Sequence, residues 1–168
     1  DERIAAGYDA AAPDMFEPAV VDATVDFLAG LAGTGAALEF GVGTGRIALP
    51  LSRQGVRVHG IDESAAMVAK LQAKAGAADI DVTIGDFATT TVDERFTLTY
   101  LVYNTINNLL TQDEQVECFR NAAAHLEPGG CFVIEVVVPE LRRVPPGETV
   151  RTFTVSPTKL DFDTYDDF

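Results

Sequence analysis

Short apolar runs alternate with helical patterns through most of the chain, and this alternation limits the possible folds more than any other feature. The apolar runs are "ALEF", "VRVHGI", "IDVTIGD", "FTLTYLVYN" and "CFVIEVVVP". Helical patterns precede and separate most of them, in "PAVVDATVDFLAGLAG", "GRIALPLSRQG", "SAAMVAKLQAKAG" and "TQDEQVECFRNAAAHLEPGG". Strands that are almost wholly apolar are buried on both faces. The sequence therefore predicts a doubly wound α/β fold with a mostly parallel sheet.

The pattern changes after Pro139. Pro145, Pro146 and Gly147 have the composition of a linker, and "TVRTFTV" and "KLDFD" then alternate around a turn as the strands of a hairpin do. We therefore divide the chain into a ligand-binding domain, residues 1–140, and a β-like extension, residues 141–168.

Charge and composition exclude several classes of partner. The formal net charge of −14 would repel a phosphate backbone and anionic membrane surfaces. No apolar run approaches the roughly 20 residues that span a bilayer, and the first residues do not resemble a signal peptide. We expect a cytoplasmic protein that acts on a small molecule, with neither a nucleic acid nor a membrane as partner.

A glycine-rich loop follows the first predicted strand in "LEFGVGTGRIALPL". Glycines between a strand and a helix let the backbone approach a ligand closely, beside the free N–H groups of the helix. A dinucleotide fingerprint requires Gly or Ala where Arg46 stands, and a P-loop requires a Gly-Lys-Ser/Thr sequence that is missing. The loop has instead the form ExGxGxG, from Glu39 to Gly45.

These motifs together resemble class I S-adenosylmethionine (SAM)-dependent methyltransferases, in particular small bacterial members with a methyltransferase domain. The resemblance rests on "LEFGVGTGR", "GIDESAAMV", "IGDF", "YLVYNTINNLL" and "LEPGGCFVIEV", which stand in this order at the ends of predicted elements. It implies the strand order 3-2-1-4-5, SAM as cofactor and S-adenosylhomocysteine as product.

The resemblance also implies a set of cofactor-binding residues. Glycines of the loop would pass beneath the methionine and ribose, Asp62 would bind the ribose hydroxyls, and Asp86 would accept from the adenine amine. For several of the others a structural role stays open: Glu39 would fix the loop or meet the amino group, Arg46 would reach the carboxylate or pair with an acid, and Glu63 would share the ribose or face solvent. The full set is Tyr8, Glu39, Gly41, Gly43, Gly45, Arg46, Asp62, Glu63, Met67, Asp86, Phe87, Tyr103, Asn104 and Thr105.

Methyl transfer needs alignment of the acceptor more than a dedicated base, because the cofactor already carries the activated group. Glu135 interrupts an apolar run, where a buried charge is costly unless it is paired or used. It is the candidate catalytic residue, as a base or as a ligand for a cationic substrate, with a buried pair as the alternative. Arg142 and Arg143 would contact an anionic substrate or lie in a solvated linker. No metal site is expected.

The sequence thus predicts a SAM-dependent methyltransferase acting on an O or N atom of a small molecule. A non-catalytic SAM-binding sensor and an aminopropyltransferase-type use of the same fold are the alternatives. The extension, residues 141–168, would form a hairpin over the acceptor pocket or begin a sixth strand. Since the family normally adds two more strands, a missing pair would leave an open sheet edge, to be covered in a homodimer or by a longer chain.

Overall fold

The computed structural model describes residues 2–11, 13–137, 147–156 and 160–164. In this part of the chain, strands β1–β5 form one sheet in the order β3-β2-β1-β4-β5, and every adjacent pair is parallel. The strands are β1 (Ala36–Phe40), β2 (Arg57–Asp62), β3 (Ile80–Ile84), β4 (Phe96–Leu101) and β5 (Leu126–Ile134). The predicted doubly wound α/β fold and its strand order are confirmed.

Five helices belong to the same part of the chain. They are α1 (Glu2–Ala11), α2 (Pro18–Ala32), α3 (Ala48–Arg53), α4 (Ala65–Gln72) and α5 (Gln112–His125), with short 3-10 turns at Pro13–Phe16, Ala77–Asp79 and Thr105–Asn108. Ser64 caps the N-terminus of α4, and Thr111 caps that of α5 through a reciprocal capping box with Glu114. The sequence did not indicate helix α1.

Strand β5, the last strand of the five-stranded sheet, begins and ends earlier in the chain than the sequence indicates. Helix α5 was expected to run to Pro128, yet it ends at His125, and β5 starts at Leu126, opposite Phe96. An edge strand can accommodate Pro128, which has no N–H to donate to a neighbour, and the ladder shifts register between Phe96 and Leu98. The strand therefore ends at Ile134, before Glu135.

The core lies on both faces of the sheet, because successive side chains of a strand point in opposite directions. Ala37 packs into the cluster on the face of α2, together with Val25 and Leu28. Leu38 and Phe40, whose side chains point to the opposite face of β1, pack into the other cluster, which includes residues of α5. Covering helices on the two faces thereby hold the carboxyl ends of the strands, and the loops that follow them, in fixed positions.

The chain divides into two compact units, Asp1–Val136 and Val137–Phe168. In the second unit, β6 (Val150–Val155) pairs antiparallel with β7 (Leu160–Thr164), as the alternating pattern predicts. The division of the chain by function, with residues 141–168 covering an acceptor pocket or starting a sixth strand, stays a prediction. Arg142 and Arg143, the candidate anion contacts, lie outside the described residues.

Candidate active site

A cavity of about 650 Å³ lies at the carboxyl ends of β1–β4. Ligands of open parallel sheets bind in this position, and the volume is in the range of small-molecule sites. All of the predicted cofactor-binding residues line the cavity except Glu39, Gly45 and Arg46. The lining residues are Tyr8, Gly41, Gly43, Asp62, Glu63, Ser64, Met67, Asp86, Phe87, Tyr103, Asn104, Thr105, Asn108 and Leu109.

The glycines of the first loop have different physical roles. Gly43 has a φ of 54°, and a Cβ atom added there would have the carbonyl oxygen of Gly41 as its nearest neighbour, at 3.9 Å. Gly45 is closed off, since a Cβ atom there would lie 2.3 Å from the Leu71 side chain. Gly45 is required for the loop to pack closely on α4, whereas the missing side chain of Gly43 leaves the loop backbone accessible from the cavity.

Asp62 joins the glycine loop to the start of α4. One carboxylate oxygen accepts from the backbone N–H of Gly43 at 2.7 Å, and the other accepts from that of Ser64 at 2.8 Å. Ser64 in turn accepts from the N–H of Met67. These bonds fix the carboxylate at the cavity wall, and each oxygen keeps a lone pair for a ligand because a carboxylate accepts about four hydrogen bonds.

The loop after β3, the strand next to β2, places Asp86 and Phe87 at the cavity. Asp86 accepts from the N–H of Ala88 at 2.8 Å through its side chain. From below, the buried amide of Asn121 on α5 donates to the carbonyls of Phe87 and Thr90, at 2.8 and 2.9 Å. This support could not be predicted, because Asn121 is an ordinary polar residue in a helical pattern.

The loop after β4 forms the third wall, and its backbone is unusual. Tyr103 and Asn104 have φ values of 58° and 60°, in the left-handed region that residues other than glycine seldom adopt. Thr105 then begins a 3-10 turn that carries Asn108 and Leu109, two lining residues that the sequence analysis missed. Asn104 and Thr105 line the cavity, and their contact with a cofactor stays a prediction.

Glu135 does not have the buried surroundings that the apolar run predicts. The residue is exposed, it follows the last residue of β5, and β5 is the edge strand of the five-stranded sheet. Its carboxylate accepts from the backbone N–H of Tyr103 at 2.9 Å. Glu135 is therefore neither a buried charge in a central strand nor part of a buried pair, and it does not line the cavity. The apolar run "VIEVVV" gave no signal of where strand pairing stops.

Glu39 lies beneath the glycine loop with 3% of its surface exposed, on the face of the sheet that also buries Tyr100. Its carboxylate accepts from the Tyr100 hydroxyl at 2.9 Å and from the backbone N–H of Ala48 at the start of α3. Burial raises the pKa of Glu39 to about 8, and these hydrogen bonds only partly offset the shift. Of its two predicted roles, this position favours fixing the loop.

Arg46 contacts Tyr103 rather than the cavity. Its guanidinium lies 5.3 Å from the centre of the Tyr103 ring, and Nη1 donates to the carbonyl of Met15 at 3.2 Å. The Nη2 atom is buried with no hydrogen-bond partner among the described residues, which also give Arg46 no ion pair. The predicted pairing with a neighbouring acid is therefore not observed, and the predicted contact with a cofactor carboxylate stays a prediction.

Helix α1 places Tyr8 at the cavity, and a network of polar contacts attaches this helix to the glycine loop. Asp9 accepts from the Thr44 hydroxyl at 2.6 Å and pairs with Lys74 at 2.6 Å, while Lys74 also donates to the Thr44 carbonyl at 2.8 Å. Burial raises the pKa of the Tyr8 phenol, and charge repulsion with the neighbouring Tyr103 phenol raises it further, partly offset by Arg46. The Tyr8 hydroxyl therefore stays protonated at neutral pH and can donate a hydrogen bond.

The fold and this cavity define the class of the protein: a doubly wound α/β protein with a cavity of small-molecule size at the carboxyl ends of its strands. Known proteins specify the class further. The family model described as "methyltransferase domain" matches residues 37–130, more than half of the chain. The chain therefore belongs to the methyltransferase domain family, and within it to the class I SAM-dependent methyltransferases.

Individual relatives agree with this assignment. The chain is 31% identical over 102 residues to the cypemycin N-terminal methyltransferase of a Streptomyces species, covering 61% of this chain and 42% of that protein. The CcbJ methyltransferase from Streptomyces caelestis matches with a TM-score of 0.71 and 37% identity, over 83% of this chain and 57% of that one. The chain thus spans about half the length of these two relatives.

A third relative shares the fold. The glycopeptide N-methyltransferase MtfA superposes with a TM-score of 0.67 at 22% identity, over 85% of this chain and 70% of that one. MtfA has been crystallised with SAM and with S-adenosylhomocysteine. No helix in the described part of the chain has the length and apolar character needed to cross a membrane.

SAM is the cofactor of this family, and the cavity fits it. The open side of Gly43 leaves room for a ligand against the backbone. The carboxylates of Asp62 and Asp86 lie at the ends of neighbouring strands, with acceptor capacity left for hydroxyl and amine groups. Three acidic residues line the cavity and none of its described lining residues is basic, which suits a ligand with a positively charged sulfonium.

Proposed function

We propose that this protein transfers the methyl group of SAM to an amine nitrogen of a small molecule or peptide. One observation supports the proposal above all: Gly43, Asp62 and Asp86 surround one cavity at the strand ends. These are the residues that a nucleoside with a charged tail requires, namely open backbone, an acceptor for ribose hydroxyls and an acceptor for the adenine amine.

The binding roles follow the walls of the cavity. Asp62 would accept from the ribose hydroxyls, and Asp86 would accept from the adenine amine. Phe87 and Met67 would contact the faces of the adenine. Tyr8, on α1, would cover the methionine end. The bound cofactor supplies a methyl group already activated by a sulfonium, so the chain itself must align the acceptor and exclude water.

Two observations favour nitrogen over oxygen as the acceptor. Among the described residues that line the cavity there is no His or Lys, and its acids lie at the carboxyl ends of β2 and β3, on the proposed adenosine side. A hydroxyl acceptor benefits from a general base, whereas a neutral amine carries its own lone pair. The cypemycin relative is named for methylation of an N-terminus and MtfA for N-methylation of a glycopeptide.

Calorimetric titration with SAM and S-adenosylhomocysteine tests cofactor binding first. Release of S-adenosylhomocysteine is then followed with matched acceptors: an amino sugar, a peptide with a free N-terminus, and the same compounds with hydroxyl groups in place of the amines. We expect turnover with an amine and none with its hydroxyl counterpart. Turnover of the hydroxyl compounds alone would reject nitrogen as acceptor. Cofactor binding without any turnover would favour the sensor alternative, and no binding would reject the proposal as a whole.

A further inference from the structure

The turn after β4 adopts a conformation that its residues disfavour. Tyr103 and Asn104 are consecutive, and among the described residues they are the non-glycine residues with positive φ. Asn tolerates the left-handed region moderately well, but an aromatic residue in it is strained. Such conformations persist only where the surrounding structure holds them, and they occur mainly at functional sites.

Glu135 supplies this restraint. Its carboxylate accepts from the N–H of Tyr103 at 2.9 Å, and its carbonyl accepts from the N–H of Asn104 at 3.2 Å. Its own N–H donates to the carbonyl of Leu101 at 3.0 Å, which extends the pairing of β4 with β5 by one residue. The backbone N–H groups of both left-handed residues therefore donate to one residue, Glu135, which directly follows β5.

The sheet order fixes which part of the ligand this turn faces. Asp62 and Asp86 follow β2 and β3, so an adenosine held by them lies on that side of the glycine loop. The rest of the cofactor must then extend towards the other side, where β4 lies beside β1. Tyr103 and Asn104 thus form the wall at the methionine end, the end that carries the reacting sulfur.

We propose that Glu135 is a positioning residue for the methionine end of the site. Its carboxylate holds the Tyr103–Asn104 turn in the left-handed conformation, and it acts through the turn without touching the reacting atoms. This inference rests on the proposed function, because the orientation of the cofactor is part of it. It replaces the role of a catalytic base, because Glu135 is not one of the residues that line the cavity.

The test compares two probes that differ only at the methionine end: S-adenosylhomocysteine and 5′-methylthioadenosine, which lacks the amino acid. With Glu135→Ala we expect the affinity for S-adenosylhomocysteine to fall about 3- to 10-fold, as for one lost hydrogen bond to a charged group near the surface. The affinity for methylthioadenosine should stay within about 2-fold, because the Asp62 and Asp86 side is untouched. Glu135→Gln keeps an acceptor oxygen and should behave almost as the original residue.

A double-mutant cycle with Asn104→Gly identifies the route of the effect. Glycine adopts positive φ without strain, so the turn then depends less on its restraint. The penalty of Glu135→Ala should be smaller in the Asn104→Gly background than alone. An equal penalty in both backgrounds, an equal loss of both probes, or no loss of either would overturn the inference. So would Glu135→Gln that binds both probes normally but has lost turnover, since this would indicate a base.

Failure of the proposed function can be told apart from failure of this inference. If the original protein binds neither probe, the orientation of the cofactor is wrong, and hydrogen exchange of the free protein decides the role of Glu135. The amides of Tyr103 and Asn104 should exchange faster in Glu135→Ala than in Glu135→Gln. Equal exchange rates in the two variants would reject Glu135 as the restraint.

Discussion

The two sides of the cavity are constructed in different ways. On the adenosine side, Asp62 and Asp86 each accept from the N–H two residues later in the chain, within their own loops. On the methionine side, the carboxylate that holds the loop belongs to Glu135, 32 residues away from Tyr103. A turn in which Asp accepts from the N–H two residues later can form from the local sequence alone. The contact between Glu135 and Tyr103 forms only after β4 and β5 have paired.

Burial strengthens this difference. The loop of Asp86 and Phe87 rests on the buried amide of Asn121, which has 7% of its surface exposed. The turn of Tyr103 is held by an exposed carboxylate. Buried hydrogen bonds are costly to break because the groups left behind lose water as well as their partner. The adenosine side should therefore be the more rigid, and the methionine side the easier to adjust.

The largest effect is expected at Glu39, beneath the glycine loop that joins the two sides. Its folded pKa of about 8 lies above the ordinary value of 4.5, so the folded state keeps a proton that the unfolded state loses. Between these values the free energy of unfolding should fall by about 1.4 kcal/mol per pH unit from this residue, about 5 kcal/mol in total. Below pH 4.5 both states are protonated, and the penalty is absent.

Glu39→Gln isolates this contribution, because Gln keeps the shape and an acceptor for Tyr100. The stability of the variant minus that of the original protein, from urea denaturation at several pH values, should rise from pH 4.5 to 8 and then level off. A difference that is flat over this range would mean that Glu39 is ionised when buried. The glycine loop between the two sides would then rest on a charged carboxylate rather than on a neutral one.

Asp62 should give the next largest effect, and this effect concerns ligand binding. Asp62→Ala removes the proposed ribose acceptor and also the acceptor for the N–H of Gly43. We expect the affinity for S-adenosylhomocysteine to fall by about 2–3 kcal/mol, measured by calorimetry. Glu63→Ala is the matched control, since the neighbouring acid lines the same cavity without an observed bond to the loop. Equal losses in the two variants would indicate that only negative charge matters.

Much of the fold and of the adenosine side could be predicted because their signals are local. The strand order follows from the resemblance that the motifs carry, and the caps at Ser64 and Thr111 follow from residues within one turn. The glycine loop, Asp62 and Asp86 stand at strand ends in the sequence, and parallel strands bring such ends together. That the glycine loop, Asp62 and Asp86 meet at one cavity could therefore be predicted without information on side-chain packing.

The rest depends on contacts between distant parts of the chain. The partners of Asn121 are 31 and 34 residues away, and a polar residue in a helical pattern does not indicate them. Glu39 and Gly45 belong to the motif, but the direction of the Glu39 side chain in the pleat and the packing of Leu71 against Gly45 decide that they support the loop. Glu135 was misplaced because an apolar run continues past the point where strand pairing ends.

Asn121 tests the claim that the adenosine side is supported from the interior. Asn121→Ala leaves the carbonyls of Phe87 and Thr90 without their donor, and we expect the free energy of unfolding to fall by about 1–2 kcal/mol. Asn121→Asp has the same size but no donor, so it should be at least as destabilised. Glu135→Ala, measured in the same urea experiment, should cost less than either. If Glu135→Ala is the most destabilising of the three, the contrast between a rigid and an adjustable side is wrong.

The smallest effect on stability is expected where α1 joins the glycine loop. Asp9 and Lys74 form a partly exposed ion pair, with 42% and 31% of their side chains accessible, so Lys74→Met should lower the free energy of unfolding by less than about 1 kcal/mol. The same change removes the donor to the Thr44 carbonyl and loosens the helix that carries Tyr8. We therefore expect faster dissociation of S-adenosylhomocysteine in stopped-flow displacement, with little change in the affinity for adenosine alone.

Arg53→Met, which removes a cation that donates to the Ala75 carbonyl, is the control. Because screening by salt weakens the Asp9–Lys74 pair, 0.5 M salt should bring the dissociation rate of the original protein towards that of Lys74→Met. A rate that salt does not change would mean that packing of α1, and not this ion pair, keeps Tyr8 at the cavity.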